Sequence, residues 1–309
     1  MTIRDNYQLK NFTTMAIGGP ARFFIDFESV KELQELLSFA KEHSLPWVVV
    51  GEGSNLVPAD AGYAGIVVRN RIDFLKCKGS KVNVGAGANL FAAVKKLNQT
   101  GLAGFERMAG IPGTVGGAIY GCAGAYGQEI KDHLVAVKVF DGSRVRSLTS
   151  AECRFGYRTS IFKKHKDWII LEATFKLDHN DRGVLQEISQ DIVKKRAIKY
   201  PPGLRCPGSF FKNIKLSDLP APERQSLLRK IPKERVTYGK VATGYLLQQS
   251  GAKGLREGRV AVAGHHGNLI YNPGGGTARD VKKLAERLRK LVKNKFHVTI
   301  EEEVQYLGF

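Results

Sequence analysis

Ala109-Gly110-Ile111-Pro112-Gly113-Thr114-Val115-Gly116-Gly117-Ala118, with Gly121-Cys122-Ala123-Gly124-Ala125-Tyr126-Gly127 close behind it, is the stretch on which the reading of this chain turns. Glycine at this density permits positive φ and lets a ligand approach bare backbone. A second run of the same kind, Gly51-Glu52-Gly53-Ser54-Asn55, follows directly on the apolar, β-branched segment 47–50, which reads as a strand. Gly-x-Gly after a strand invites a dinucleotide fold, but the third glycine is missing and Pro58 stands where the helix would begin. Gly85-x-Gly87 lacks the third glycine too, and there is no Walker loop. Two glycine loops, 51–55 and 110–117, are left as places where backbone N–H groups could face a pyrophosphate without a Rossmann helix. Ordinary turns in a glycine-rich sheet would look the same.

Working outward, residues 29–43 carry Val30, Leu33, Leu36, Leu37 and Ala40 on one helical face, with Ser29 and Glu32 spaced as a capping box. Segments 66–68, 82–84, 134–140, 144–148 and 168–177 read as strands, and 90–97 as a short helix. A helical pattern over 184–199 stops at Pro201-Pro202-Gly203, the clearest linker in the chain. Beyond it come helices near 223–230 and 243–250, strands near 259–263 and 268–271, a long helix from Thr277, and a final strand over 298–306. The fold class is therefore α+β, with no internal repeat.

The chain has 309 residues, 43% of them hydrophobic and 25% charged, which fits a packed protein and excludes wholesale disorder. No apolar run is long enough for a membrane span, and the first residues do not form a signal peptide, so the expectation is a cytoplasmic protein without a membrane partner. Cys77, Cys122, Cys153 and Cys206 are widely spaced and form no CxxC pair. The net charge of +19 raises nucleic acid as a partner. Against it, the basic residues are scattered and lack interleaved aromatics. The densest basic stretch, 279–295, carries Val281, Leu284, Leu288 and Leu291 at helical spacing, so its charges read as a solvated helix face.

Few polar residues declare a chemistry by themselves. Arg158 sits in Phe155-Gly156-Tyr157-Arg158, which could be an exposed loop or edge strand, and Ser209 follows Pro207-Gly208 with no triad order or nucleophile elbow around it. On a strand, Glu301 and Glu303 would face away from Glu302, without anything to separate the first two. Adjacent His265 and His266 would point apart on a strand and make a poor chelating pair, so no metal is assigned.

Seven separated segments, taken together and in order, resemble the flavin-dependent UDP-N-acetylenolpyruvoylglucosamine reductases, also called UDP-N-acetylmuramate dehydrogenases. They are residues 13–21, 51–56, 109–118, 123–127, 155–158, 208–213 and 300–304. The lack of a long insertion in the last unit resembles the shorter class of that family. The resemblance implies an FAD-binding region of the vanillyl-alcohol-oxidase (PCMH) type, made of subdomains 1–72 and 73–190. It also implies a domain over 200–309 that binds a UDP-sugar. It implies NADPH-dependent reduction of an enolpyruvyl ether in peptidoglycan precursor synthesis, with hydride delivered from flavin N5 to C3.

By the same resemblance Ser209 protonates C2, while Arg158 and Glu303 stabilise the substrate carboxylate, the glutamate as a protonated acid. Gly51, Gly53, Ser54, Asn55, Gly110, Gly113, Thr114, Gly116 and Gly117 would wrap FAD, and Lys212 and Asn213 would contact the UDP-sugar. The chain departs from the family's usual residues at Ala16, Glu52, Cys122 and Gln248. Rival readings are another flavin oxidoreductase on the same fold and a non-catalytic UDP-sugar or nucleic-acid binder.

Overall fold

A computed structural model describes residues 1–309. The chain divides into two units: Met1–Tyr7, Ala21–Gly53 and Tyr63–Ile198 form the first, and Gln8–Pro20, Ser54–Gly62 and Lys199–Phe309 the second.

The first unit holds two large sheets, of four and five strands, and two short two-stranded ones. The four-stranded sheet has the order Thr2–Gln8, Pro20–Phe27, Tyr63–Asn70, Trp47–Val50, and Tyr63–Asn70 runs parallel to both Pro20–Phe27 and Trp47–Val50. Parallel strands need a crossover, and the Val30–Glu42 helix supplies it, burying Leu33, Leu36 and Ala40. Ser29 caps that helix by accepting the Glu32 N–H at 3.2 Å, but the expected box does not close. The Glu32 carboxylate instead accepts the Glu28 N–H at 2.9 Å, and its other oxygen lies 3.2 Å from the N-terminal ammonium, which draws it past Ser29.

The second sheet is antiparallel throughout, in the order Val145–Thr149, Leu134–Phe140, Ile169–Lys176, Lys81–Gly85, Leu75–Lys78. Phe140, Ile169 and Leu171 pack with Ile25, Leu33, Leu36, Ile66 and Val68, which joins this sheet to the first. Its other core takes in Val82, Val84, Val137 and Phe175 with Leu90, Val94 and Leu97 of the Leu90–Gln99 helix.

Within the long glycine run the structure differs from the expected loop, because Val115–Gly121 is a helix. Glycine disfavours a helix by about 1 kcal/mol per residue. Here Val115, Ala118 and Ile119 are buried, and Thr114 caps the helix by accepting the Gly117 N–H at 3.1 Å, so packing and cap override propensity.

The second unit is organised by the Ala278–Phe296 helix. Thr277 and Asp280 close a full capping box at its start, and Asp60 accepts the N–H groups of Ala278 and Arg279 at 2.7 and 3.0 Å. Val281, Leu284, Leu288, Val292 and Phe296 face a core shared with Phe210, Phe211, Leu246 and Leu247, while Lys282, Lys283, Arg287, Lys290 and Lys293 are exposed.

The final strand is shorter than expected. Only Gln305–Leu307 pairs, in parallel, with Leu56–Pro58. Upstream of it the chain makes one bridge, Glu302 opposite Phe211, before the Gln305 N–H turns to the Asn55 carbonyl at 2.9 Å. A segment that exchanges one partner for another within three residues cannot build a ladder.

Asn268, 3% exposed, binds both backbone groups of Phe211: its amide N–H donates to the carbonyl and its oxygen accepts the N–H, each at 2.8 Å. Its own N–H donates to Nδ1 of His266 at 3.1 Å, which requires that nitrogen to be unprotonated. Burial first, then the charges of Lys199, His265 and Lys253, push the His266 pKa down to about 4.

Two outcomes follow. Asn268→Ala leaves buried Phe211 groups without partners and lowers unfolding free energy by about 2 kcal/mol or more, read from urea denaturation. For His266 the folded pKa lies below the unfolded value near 6.5, so the unfolded chain binds the extra proton as pH falls. Stability decreases between about pH 6.5 and 4, and replacing His266 by Gln flattens that part of the profile.

Candidate active site

In the first unit the two glycine loops meet. A Cβ on Gly51 would fall 2.9 Å from Thr114 Oγ1, too close for any larger residue. At Gly116 a Cβ would fall 2.9 Å from both the Cβ and the carbonyl oxygen of Ala86, whose carbonyl takes the Gly116 N–H at 2.8 Å. Asn89 bridges to Thr114 through the backbone and reaches Glu52 Oε2 with its amide at 3.4 Å. Gly51, Glu52, Asn89, Thr114 and Gly117 therefore converge.

The remaining cofactor candidates are distributed differently. Gly113 is buried directly before Thr114, whereas Gly110 is set against Val193 and Arg196 of the Arg182–Lys199 helix. Gly53 ends a segment of the first unit, and Ser54 and Asn55 open a segment of the second, where Asn55 donates its amide N–H to the Glu303 carbonyl at 3.1 Å. A groove of about 590 Å³ lined by Phe91, Lys95, Asn98, Ser189, Val193 and Lys194 contains none of these residues.

Arg158 lies at a tight turn closed by Gly156 and Thr159, which exchange N–H···O bonds of 3.0 and 3.2 Å. Its φ of +55° is a left-handed conformation that costs a non-glycine residue about 1–3 kcal/mol. What holds it there is a set of directed bonds. Its guanidinium donates to the carbonyls of Cys122 and Gly124 at 3.0 and 2.6 Å, and Lys163 Nζ donates to its own carbonyl at 2.9 Å. The arginine is thereby fixed to the turn that ends the Val115–Gly121 helix. In that turn Cys122 is fully buried, and burial, followed by the charge of Glu129, pushes its thiol up to about 11. It is a small buried group, not a nucleophile at neutral pH.

In the second unit Ser209 follows Gly208, whose φ is +86°. Lys199 Nζ donates to Ser209 Oγ at 3.0 Å, and the Tyr200 hydroxyl lies 3.0 Å from the same oxygen. One residue later, the Phe210 carbonyl accepts the Glu303 N–H at 2.8 Å, so serine and glutamate sit on bonded segments.

The three glutamates, which alternation left unresolved, are now distinct. Glu301 is 74% exposed and paired with Lys212 at 2.9 Å, Glu302 pairs with Arg289 at 3.2 Å, and Glu303 is half-buried beside Phe210. Lys212 therefore already holds a carboxylate, while Asn213 is exposed and accepts the Thr243 N–H at 3.3 Å.

Sequence reasoning missed Lys199, Tyr200 and Asn268. The first two stood at the end of an expected helix beside a proline breaker, a position that signals structure and not chemistry. Nothing in the pattern around Asn268 marks it.

A model of the FAD binding domain matches residues 21–144, and a model of the C-terminal domain of UDP-N-acetylenolpyruvoylglucosamine reductase matches residues 200–307. The enzyme of that name from Solibacter usitatus is 44% identical over 308 residues, spanning 100% of this chain and 97% of its own length. That of Bacillus subtilis is 32% identical over 306 residues, spanning 98% and 93%. Among solved structures, UDP-N-acetylenolpyruvylglucosamine reductase from Thermus caldophilus superposes with a TM-score of 0.76 and 30% identity, covering 99% of this chain and 100% of that one. Likeness that runs end to end in both sequence and fold leaves one conclusion: this chain belongs to the UDP-N-acetylenolpyruvoylglucosamine reductase family.

Proposed function

We propose that this protein is an FAD enzyme that reduces the enolpyruvyl ether of UDP-N-acetylglucosamine to UDP-N-acetylmuramate, with NADPH as reductant, in the synthesis of peptidoglycan precursors. The observation that carries the reading is the bonded pair of segments bearing Ser209 and Glu303, in a chain whose other unit brings two glycine loops together. The loops suit the cofactor. Where Gly51 meets Thr114 and Gly116 meets Ala86 no side chain fits, so glycine lets the two loops close on each other, and a pyrophosphate is a group bound by backbone N–H donors of such loops and not by side-chain charge. FAD held at the glycine loops 51–55 and 110–117 would supply the two-electron hydride chemistry that links NADPH to C3 of the enolpyruvyl group.

The protein residues handle charge and the proton. Hydride addition β to a carboxylate drives negative charge onto that carboxylate, so donors must be aimed at the enediolate as it forms. Arg158 provides them through a planar fork already oriented by the Cys122 and Gly124 carbonyls. Glu303 acts as a protonated acid at the same carboxylate, since an ionised one would repel it. Ser209 gives its proton to C2, which completes the saturated ether.

We assign 1–72 and 73–190 as the two halves of the flavin region and 200–309 as the UDP-sugar domain. Lys212 exchanges Glu301 for a substrate phosphate, with Asn213 beside it. The partners are small molecules, with neither nucleic acid nor membrane, and we place the reaction in the cytoplasm; no helix is long and apolar enough to cross a bilayer.

Anaerobic stopped-flow absorbance at the oxidised-flavin band tests the whole reading. NADPH bleaches the band and the enolpyruvyl UDP-sugar restores it; a band that never returns with this substrate moves the activity to another flavin oxidoreductase. Ser209→Ala leaves the bleaching rate intact and slows recovery by about 10² or more. Arg158→Lys keeps the charge but loses the fork. It slows recovery by about tenfold or more while NADPH still bleaches the band at the parent rate.

A further inference from the structure

We infer that Tyr200, together with Lys199, positions Ser209 as a proton donor and returns its proton after each turnover, a role that rests on Ser209 being the acid for C2. A serine hydroxyl has one hydrogen and two lone pairs, and an ammonium has donors only. Lys199 Nζ, 3.0 Å away, must therefore fill one lone pair of Ser209 Oγ.

The Tyr200 hydroxyl, also at 3.0 Å, can donate into the second lone pair or accept the serine hydrogen. When substrate claims that hydrogen, only the first arrangement is compatible with it. The serine is then an acid with both lone pairs held and its single hydrogen directed outward.

The same two contacts serve the state left behind. As the C2–H bond forms from the electron pair of the enediolate, the Ser209 O–H bond breaks and its pair stays on Oγ. An isolated serine alkoxide is too basic to form readily, but one that receives a charged and a neutral donor at the moment it develops is stabilised without reorganisation. Tyr200 then passes its proton to the alkoxide and recovers one from water, which restores both hydroxyls.

The pair is fixed for this task. The Lys199 carbonyl accepts a hydrogen bond from His265 Nε2 at 2.9 Å, and the Lys199 ammonium lies 5.0 Å from the centre of the Tyr200 ring.

A double-mutant cycle on the holoenzyme decides the matter. Tyr200→Phe keeps the ring and removes only the hydroxyl. It should leave flavin reduction by NADPH at the parent rate and substrate affinity within about twofold, and slow substrate-driven flavin reoxidation by about tenfold or more. Because the tyrosine acts through the serine, adding Tyr200→Phe to Ser209→Ala should slow reoxidation no further.

An equal penalty in both backgrounds, or none in the parent, overturns the inference while leaving the serine assignment standing. If Ser209→Ala itself reoxidises at the parent rate, the assignment of the serine fails first and takes this one with it. Lys199→Met gives a second reading by the same cycle, and Lys199→Arg, which still donates, should recover part of the lost rate.

Discussion

The backbone of Phe210 and Phe211 is the fixed point of the second unit. Both side chains are buried in its core, and both peptide groups are bonded to protein: Asn268 closes two bonds on Phe211 and its carbonyl takes the Phe210 N–H at 3.0 Å, while the Phe210 carbonyl takes the N–H of Glu303. Buried backbone groups must be paired, so none of these contacts can be given up cheaply. Ser209 precedes this anchor by one residue and inherits its position from it. Glu303 is set from both sides, because its carbonyl accepts from Asn55 and Gln305 while its N–H is held by Phe210. Two groups proposed to act on one substrate are thus located by main-chain bonds.

The first unit reaches a similar result by exclusion. Its glycines are placed where a Cβ would collide with Thr114 or Ala86, and the helix they enter survives because Thr114 caps it and Val115, Ala118 and Ile119 are buried. That helix ends at Cys122 in a left-handed conformation, which turns the Cys122 and Gly124 carbonyls toward the Arg158 guanidinium. The strain at Arg158 and the left-handed Cys122 are parts of one arrangement, in which two carbonyls orient a cation whose own backbone is in an unfavourable region.

How much of this was legible depends on which physical signal a residue carries. The Ala278–Phe296 helix follows from periodicity, since it buries one face along its length, whereas the Leu134–Phe140 strand follows from its apolar, β-branched run and buries Val137 and Val139 in one core and Phe140 in another. The Val115–Gly121 helix follows from neither, because its stability comes from a cap and from packing in a segment whose propensity argues against it. The strand expected over 298–306 failed for the opposite reason. Its β-branched residues do bury Val298 and Ile300, but its backbone is divided between Phe211 and the Leu56–Pro58 strand. At the site, Arg158, Ser209 and Glu303 came from resemblance and not from spacing. Lys199, Tyr200 and Asn268 came from neither, because what matters about them is a contact across many residues of chain.

The net charge of +19 shows why composition stops short of a site. Part of it lies on the outer face of the Ala278–Phe296 helix, where Lys283 and Lys293 are solvated and screened, and there it has no direction. Three cations differ from these in being held. Arg158 is oriented by two carbonyls, Lys212 by Glu301, and Lys199 by the serine hydroxyl it faces. A cation held within hydrogen-bond distance of a group that becomes an anion lowers a barrier, because its field is in place before the charge appears; a mobile one must first be brought there. The lowered basicity of His266, to which Lys199 contributes after burial, registers that fixed field in a neighbouring group that takes no part in the reaction.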